Sequence, residues 1–192
     1  MIKTSYKIVL ASKSPRRRKL LKQIGLKFRS CSVDLSEEIL DGEHPVQTVK
    51  RLALHKSDVA VKKIKEGIVI TADTIVVLNK EIIGKPKDQK DAFNILTKLS
   101  AKTHTVYTGF VVRNIDENRK IVGYEKTEVT FRKLETDEIK EYIKSGSPMD
   151  KAGAYGIQDD FGAVFVKRIN GCYYNVVGLP LAKVYKSLID IL

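Results

Sequence analysis

A chain of 192 residues, 43% hydrophobic and 30% charged, can bury one core, or two lobes sharing a cleft; that excludes disorder and several independent domains. Its 35 Lys and Arg against 23 Asp and Glu give a formal net charge of +12, which favours anionic partners: nucleotides, nucleic acid or membrane headgroups. The two cysteines, Cys31 and Cys172, form no CxxC motif, and no apolar run reaches the length of a secretory leader or a membrane span, so a cytoplasmic location without membrane attachment is expected.

Tyr6 to Ala11 reads as a short buried strand. Ser14-Pro15 then has the chemistry of a helix start, with serine as N-cap and proline at the first helical position. Leu20, Leu21 and Ile24 supply an apolar stripe and Gly25 the stop. Phe28 to Val33 is a second predicted strand, and an acidic loop follows as far as Pro45. Helical spacing runs from Val46 to Lys65, ending at Gly67. Ile68 to Leu78 is apolar except around Asp73-Thr74, which predicts a bent strand or a hairpin with a polar kink. Asn79-Lys80 is a turn into Glu81 to Ile83.

Asp88 to Leu99 is an amphipathic helix, and Thr103 to Arg113 and Ile121 to Phe131 alternate as strands. Thr136 to Lys144 is predicted helical, with an incomplete capping box because Ile139 cannot reach back as a glutamate would. Ser145 to Asp160 reads as a long glycine-rich loop. Ala163 to Ile169 and Tyr173 to Val177 are the last predicted strands, and Pro180 to Leu192 the last helix. This order predicts an α/β fold around a mixed sheet flanked by helices, one structural unit over 1–192 with two lobes.

Familiar phosphate-binding motifs are absent: there is no GxxxxGK[ST] and no GxGxxG after a strand. Other residues suit anions. Ser14 caps a helix whose first turn holds Arg16 and Arg17, two cations placed against the helix dipole. Asp73 interrupts an apolar strand; it is either a turn-forming aspartate or a buried one that needs a cation or a metal. Glu37-Glu38 offers carboxylates for Mg²⁺ or Mn²⁺, or is a solvated pair. Lys56 and Lys85 are either phosphate contacts or snorkelling lysines. In Asp150 to Gln158, DKAGAYGIQ, the glycines permit close approach to a ligand and Gln158 could read a base edge. His44, His55 and His104 have no close ligand spacing and read as surface or helix residues.

Taken in order, LASKSPRR, RLALHK, TADTIVV, GKPKD, THTVYTG, DKAGAYGIQ and NVVGLPL resemble the Maf family of nucleotide pyrophosphatases over nearly the whole chain. The DKAGAYGIQ form is similar to the branch acting on dTTP and UTP. The resemblance implies a Maf/ITPase-like fold with a cleft between two lobes, a divalent cation (Mg²⁺ or Mn²⁺) and a homodimer. It also implies that Asp73 is the catalytic base and Glu38 an active-site acid; the divalent ion would be held by Glu38 and Asp73, with Asp73 acting as base, metal ligand or both. Arg17, Thr74 and Gln158 would set specificity, and Ser14, Arg16, Lys56 and Lys85 would bind substrate. The acidic segment between Glu38 and Glu43 is one residue shorter than in many relatives, which leaves Glu37 as the alternative acid. A nucleic-acid-binding protein is the rival suggested by charge. Aromatics at 7% and the absence of Trp speak against it, because such proteins interleave stacking rings with basic residues. A regulator that binds nucleotide without turnover is a second rival.

Overall fold

The structure, a computed structural model, describes residues 2, 4–33, 38–158 and 161–192. The chain begins β1 (Ile8–Ala11), α1 (Pro15–Gln23), β2 (Arg29–Cys31) and α2 (Pro45–Lys63). It continues through β3 (Ile68–Leu78), β4 (Glu81–Ile83), α3 (Gln89–Leu99), β5 (Thr103–Asn114) and β6 (Arg119–Phe131). It closes with α4 (Thr136–Lys144), β7 (Val166–Asn170), α5 (Tyr173–Val177) and α6 (Leu181–Ile191). The sheet has seven strands in the order β2-β1-β3-β5-β6-β7, with β4 paired to β3. It is mixed: β1 runs parallel to both β2 and β3, whereas β3–β4 and β6–β7 are antiparallel. This is the α/β fold around a mixed sheet expected from the sequence.

Two compact units share the chain. The first holds Met1–Asp73, Thr108–Glu125 and Gly178–Leu192; the second holds Thr74–Tyr107 and Lys126–Val177. In the first unit Ala11, Val69 and Ala60 join β1, β3 and α2 in one apolar cluster. Gly109 on β5 lets a backbone come close: a Cβ there would stand 2.2 Å from the Val49 carbonyl oxygen on α2. In the second unit Val76 and Leu78 of β3 meet Leu96 and Leu99 of α3, Ile139 and Tyr142 of α4, and the Phe131 and Phe165 rings.

Local chemistry accounts for the helix starts. The Ser14 hydroxyl accepts the Arg17 backbone N–H, with Pro15 beside it, as read from the sequence. Gly25, at φ 68°, follows the end of α1. Asp88 caps α3 by accepting the Asp91 N–H at 2.7 Å. Asn79 and Lys80 both take positive φ, as a tight two-residue hairpin turn requires.

Several expectations are corrected. Of the two readings of Ile68 to Leu78, the hairpin is excluded: β3 is one strand through Asp73-Thr74, and Asp73 finds its cation in Lys56 without the strand breaking to expose it. The α4 box lies one residue earlier than expected, with the Glu138 carboxylate accepting the Glu135 N–H at 2.7 Å. Phe161–Phe165 forms a 3₁₀ turn rather than the start of a strand. The buried Phe165 ring sits edge-on to Tyr142, at 5.1 Å between centroids, which delays β7 until Val166. Tyr173–Val177 is helical, although its residues favour strands. The Asn175 amide there donates to the Val106 carbonyl at 3.0 Å and to Thr127 Oγ1 at 2.9 Å, so tertiary bonding overrides propensity. Within the predicted 145–160 loop, Ser147–Asp150 and Ala152–Ala154 form 3₁₀ turns. α2 ends at Lys63, ahead of Gly67. His104, read as a surface or helix residue, is buried on β5. Both cysteines are free.

Candidate active site

Strand alternation sends Thr71 and Asp73 of β3 to the same face, and helical spacing puts Ala53 and Lys56 of α2 one above the other. These two pairs meet. The Thr71 hydroxyl donates to the Ala53 carbonyl at 2.7 Å, and the Lys56 ammonium donates to Asp73 Oδ1. Asp73 is 4% exposed and Lys56 9%. A carboxylate in an apolar strand is costly to bury alone, and the ammonium supplies its counter-charge. Thr71 was not singled out from the sequence. Its signal was a hydroxyl two residues before Asp73 in an otherwise apolar run.

At the start of α1, Arg17 is 9% exposed. Its Nε donates to the Gly178 carbonyl at 2.7 Å and its Nη1 to Ser12 Oγ at 3.3 Å. The LASKSPRR segment is thereby tied to the glycine of NVVGLPL, which has φ 116°. Arg16 and Ser14 are half-buried beside it. Glu38 is exposed, and its carbonyl accepts from Arg51 Nη2 at 3.0 Å. Arg51 in turn grips Glu43 through two bonds of 2.8 and 2.6 Å, and holds the Glu43 carboxyl below its usual range. The alternative acid, Glu37, lies outside the described residues.

Ser14, Arg16, Arg17, Glu38, Lys56 and Asp73 belong to the first unit; Thr74, Lys85 and Gln158 belong to the second. Thr74 follows Asp73 on β3 and is half-buried. Lys85 is exposed in the turn after β4, and Gln158 is half-buried. The turn of Lys85 and the loop of Gln158 are joined: the Gly153 N–H donates to the Gly84 carbonyl at 3.0 Å. Gly153 has φ 73°, and a Cβ there would lie 3.0 Å from the Val76 side chain.

A family model described as a Maf-like protein matches residues 7–191. The chain belongs to the Maf family. Among its Maf relatives, a dTTP/UTP pyrophosphatase of Syntrophomonas wolfei is 46% identical over 93% of this chain and 94% of its own. One of Aquifex aeolicus is 46% identical over 95% and 94%, and one of Caldanaerobacter subterraneus 48% identical over 95% and 87%. Among solved structures, a HAM1 protein from Coxiella burnetii matches with a TM-score of 0.50 at 13% identity. It covers 96% of this chain and 99% of its own, a likeness of fold.

The donor set of this Maf chain suits one mode of cation binding. Among the described residues no group of three or more His, Cys, Asp or Glu could hold a metal ion. A magnesium-type ion needs no such cage: it is commonly held by one or two carboxylates, with substrate phosphate oxygens and water completing the shell. Asp73 and Glu38 are carboxylates of the type such an ion takes. No helix among the described residues is long and apolar enough to cross a membrane.

Proposed function

We propose that this chain hydrolyses dTTP and UTP to the nucleoside monophosphate and pyrophosphate. The observation that carries the reading is the buried Asp73 carboxylate held by Lys56, in a Maf chain 46% identical to named dTTP/UTP pyrophosphatases over nearly the whole of both chains. A buried carboxylate, locked in place by a lysine on a threonine-tethered helix, is suited to orient one water and take its proton.

In this reaction a water oxygen bonds to the α-phosphorus, the bond from that phosphorus to the bridging oxygen breaks, and pyrophosphate departs with that oxygen. The water's proton passes to Asp73. Arg16 and Lys85 offset the charge of the phosphate tail, and the amide ends of α1 add a partial positive charge. Arg17, bonded to Gly178 and Ser12, keeps the first turn of α1 in position as well as adding to that charge. A Mg²⁺ or Mn²⁺ ion held by Asp73 and Glu38 would supply Lewis-acid screening of the phosphate oxygens. Thr74 and Gln158 discriminate the base, because a site built to hydrogen-bond one base leaves its own polar groups unpaired with another. We assign the active protein a cytoplasmic homodimeric form, which size-exclusion chromatography with light scattering checks.

The test is a panel of nucleoside triphosphates with pyrophosphate release measured in Mg²⁺ and in Mn²⁺. dTTP and UTP are expected to lead. Purine triphosphates turned over as fast would refute the assignment, and binding of UTP with no pyrophosphate released would make the protein a binder instead.

A further inference from the structure

Gln158 follows a stretch of backbone anchored by two aromatic side chains that the mechanism above does not use. Tyr155, 6% exposed, places its hydroxyl 2.9 Å from His104 Nε2. The His104 ring, 1% exposed, stands edge-on to Tyr155 and to Phe131, which themselves meet edge-on at 4.7 Å between centroids. His104 Nδ1 is buried with no hydrogen-bond partner. A charged imidazolium would have to bury an unmatched N–H there, so the ring is neutral, and its Nε2 shares one hydrogen bond with the Tyr155 hydroxyl.

One residue on, the Gly156 N–H donates to the Tyr142 hydroxyl at 3.2 Å. Tyr142 comes from α4, is 2% exposed, and has its ring fixed against Phe165. One residue back, Ala154 takes φ 59° although it has a side chain. A non-glycine residue in that region is strained and persists where the surroundings over-determine it. Here the Gly84 carbonyl holds Gly153, His104 holds Tyr155 and Tyr142 holds Gly156. Three anchors within four residues fix a strained segment that ends two residues before Gln158.

We propose that Tyr142 and His104 are positioning residues for base recognition: Tyr142 through the Gly156 amide, and His104 through the Tyr155 hydroxyl, set where the Gln158 amide stands. This rests on the reading of Gln158 as a base-reading side chain. Neither residue touches the nucleotide. Their effect falls on which base is accepted and on KM, with the phosphate chemistry left to Asp73.

The experiment compares kcat and KM for dTTP, UTP, dATP and dGTP in the unaltered protein, Tyr142→Phe, Gln158→Ala and the double variant. Tyr142→Phe keeps the ring in the core and removes the hydroxyl alone. It is expected to lower kcat/KM for dTTP by about 5–10-fold, mostly through KM, as losing one buried hydrogen bond would. The preference for pyrimidines over purines shrinks with it. In the double variant the preference falls no further than in Gln158→Ala, because both changes act through one amide. Tyr155→Phe, which takes the hydroxyl away from His104, moves the preference in the same direction. An unchanged preference in Tyr142→Phe and Tyr155→Phe, or losses that multiply with Gln158→Ala, overturns the proposal while leaving the base-reading role of Gln158 intact. Equal turnover of all four nucleotides by the unaltered protein overturns that role and the proposal with it.

Discussion

Two polar pairs are buried to similar depth in this molecule and solve the same problem differently. In the first unit Lys56 and Asp73 are opposite charges joined across α2 and β3. In the second, His104 and Tyr155 are neutral groups sharing one hydrogen bond inside a shell of aromatic rings. The charged pair keeps a proton acceptor ready in an apolar strand, which suits a group that must react. The neutral pair needs no counter-charge and can lie among Phe131 and Phe165, which suits a group that only holds backbone in place. Burial alone does not separate chemistry from scaffolding; the kind of partner each group has does.

The sharpest way to break this contrast is to remove the charge from the first pair. Asp73→Asn keeps the shape and a hydrogen-bonding oxygen for Lys56. It is expected to lower kcat for dTTP by about 10²–10⁴-fold, the range for losing a general base. Turnover within a factor of two of the unaltered protein would make the pair scaffolding too. Next in size, Lys56→Met leaves Asp73 buried without its ammonium. Urea unfolding should show a loss of about 3–5 kcal/mol, the usual consequence of breaking one side of a buried ion pair. Lys56→Met with Asp73→Leu, replacing both charges by apolar groups, should recover most of it.

The neutral pair is probed by acid. Burial pushes the pKa of His104 down to about 4, against about 6.5 in an unfolded chain. Below pH 6.5 the unfolded chain therefore takes up a proton that the folded chain refuses. The stability tied to a neutral His104 is complete above about pH 6.5 and is lost as the pH falls towards 4, by about 3 kcal/mol. His104→Gln carries no such proton, so its stability difference from the unaltered protein should narrow over that window. A constant difference from pH 7 to pH 4 would contradict the neutral pair. The smallest effect sets the scale for the others: Ser14→Ala removes the cap of α1 and should cost about 1 kcal/mol, read as a shift of the urea midpoint at constant slope.

Local chemistry was readable in the sequence, and long-range chemistry was readable only where a charge was out of place. Ser14-Pro15 announces α1 because capping involves residues three apart. Asp73 stood out because an acid in an apolar strand demands a partner, and Lys56 because its helical neighbours are apolar. Tyr142 and His104 gave no comparable sign: an aromatic at helical spacing and a histidine in an alternating strand look like ordinary residues until Gly156 and Tyr155 are brought to them. Tyr173–Val177 misled for the same reason, since the bonds from Asn175 to Val106 and Thr127 span 69 and 48 residues. Arg17 was read as a cation for anions and specificity; its bond to the Gly178 carbonyl depends on a segment 161 residues away.

Gly109 has a further consequence for how variants of this protein are to be read. With the Val49 carbonyl 2.2 Å from where a methyl group would sit, even alanine at this position must push α2 off β5. Lys56 rides on that helix about two turns further along, roughly 10 Å away. A saturation screen scored by activity would therefore mark Gly109 as intolerant as Asp73, though it offers no functional group to any ligand. Its intolerance would register a spacing between two backbones, and only a measurement of fold stability alongside turnover would tell the two kinds of position apart.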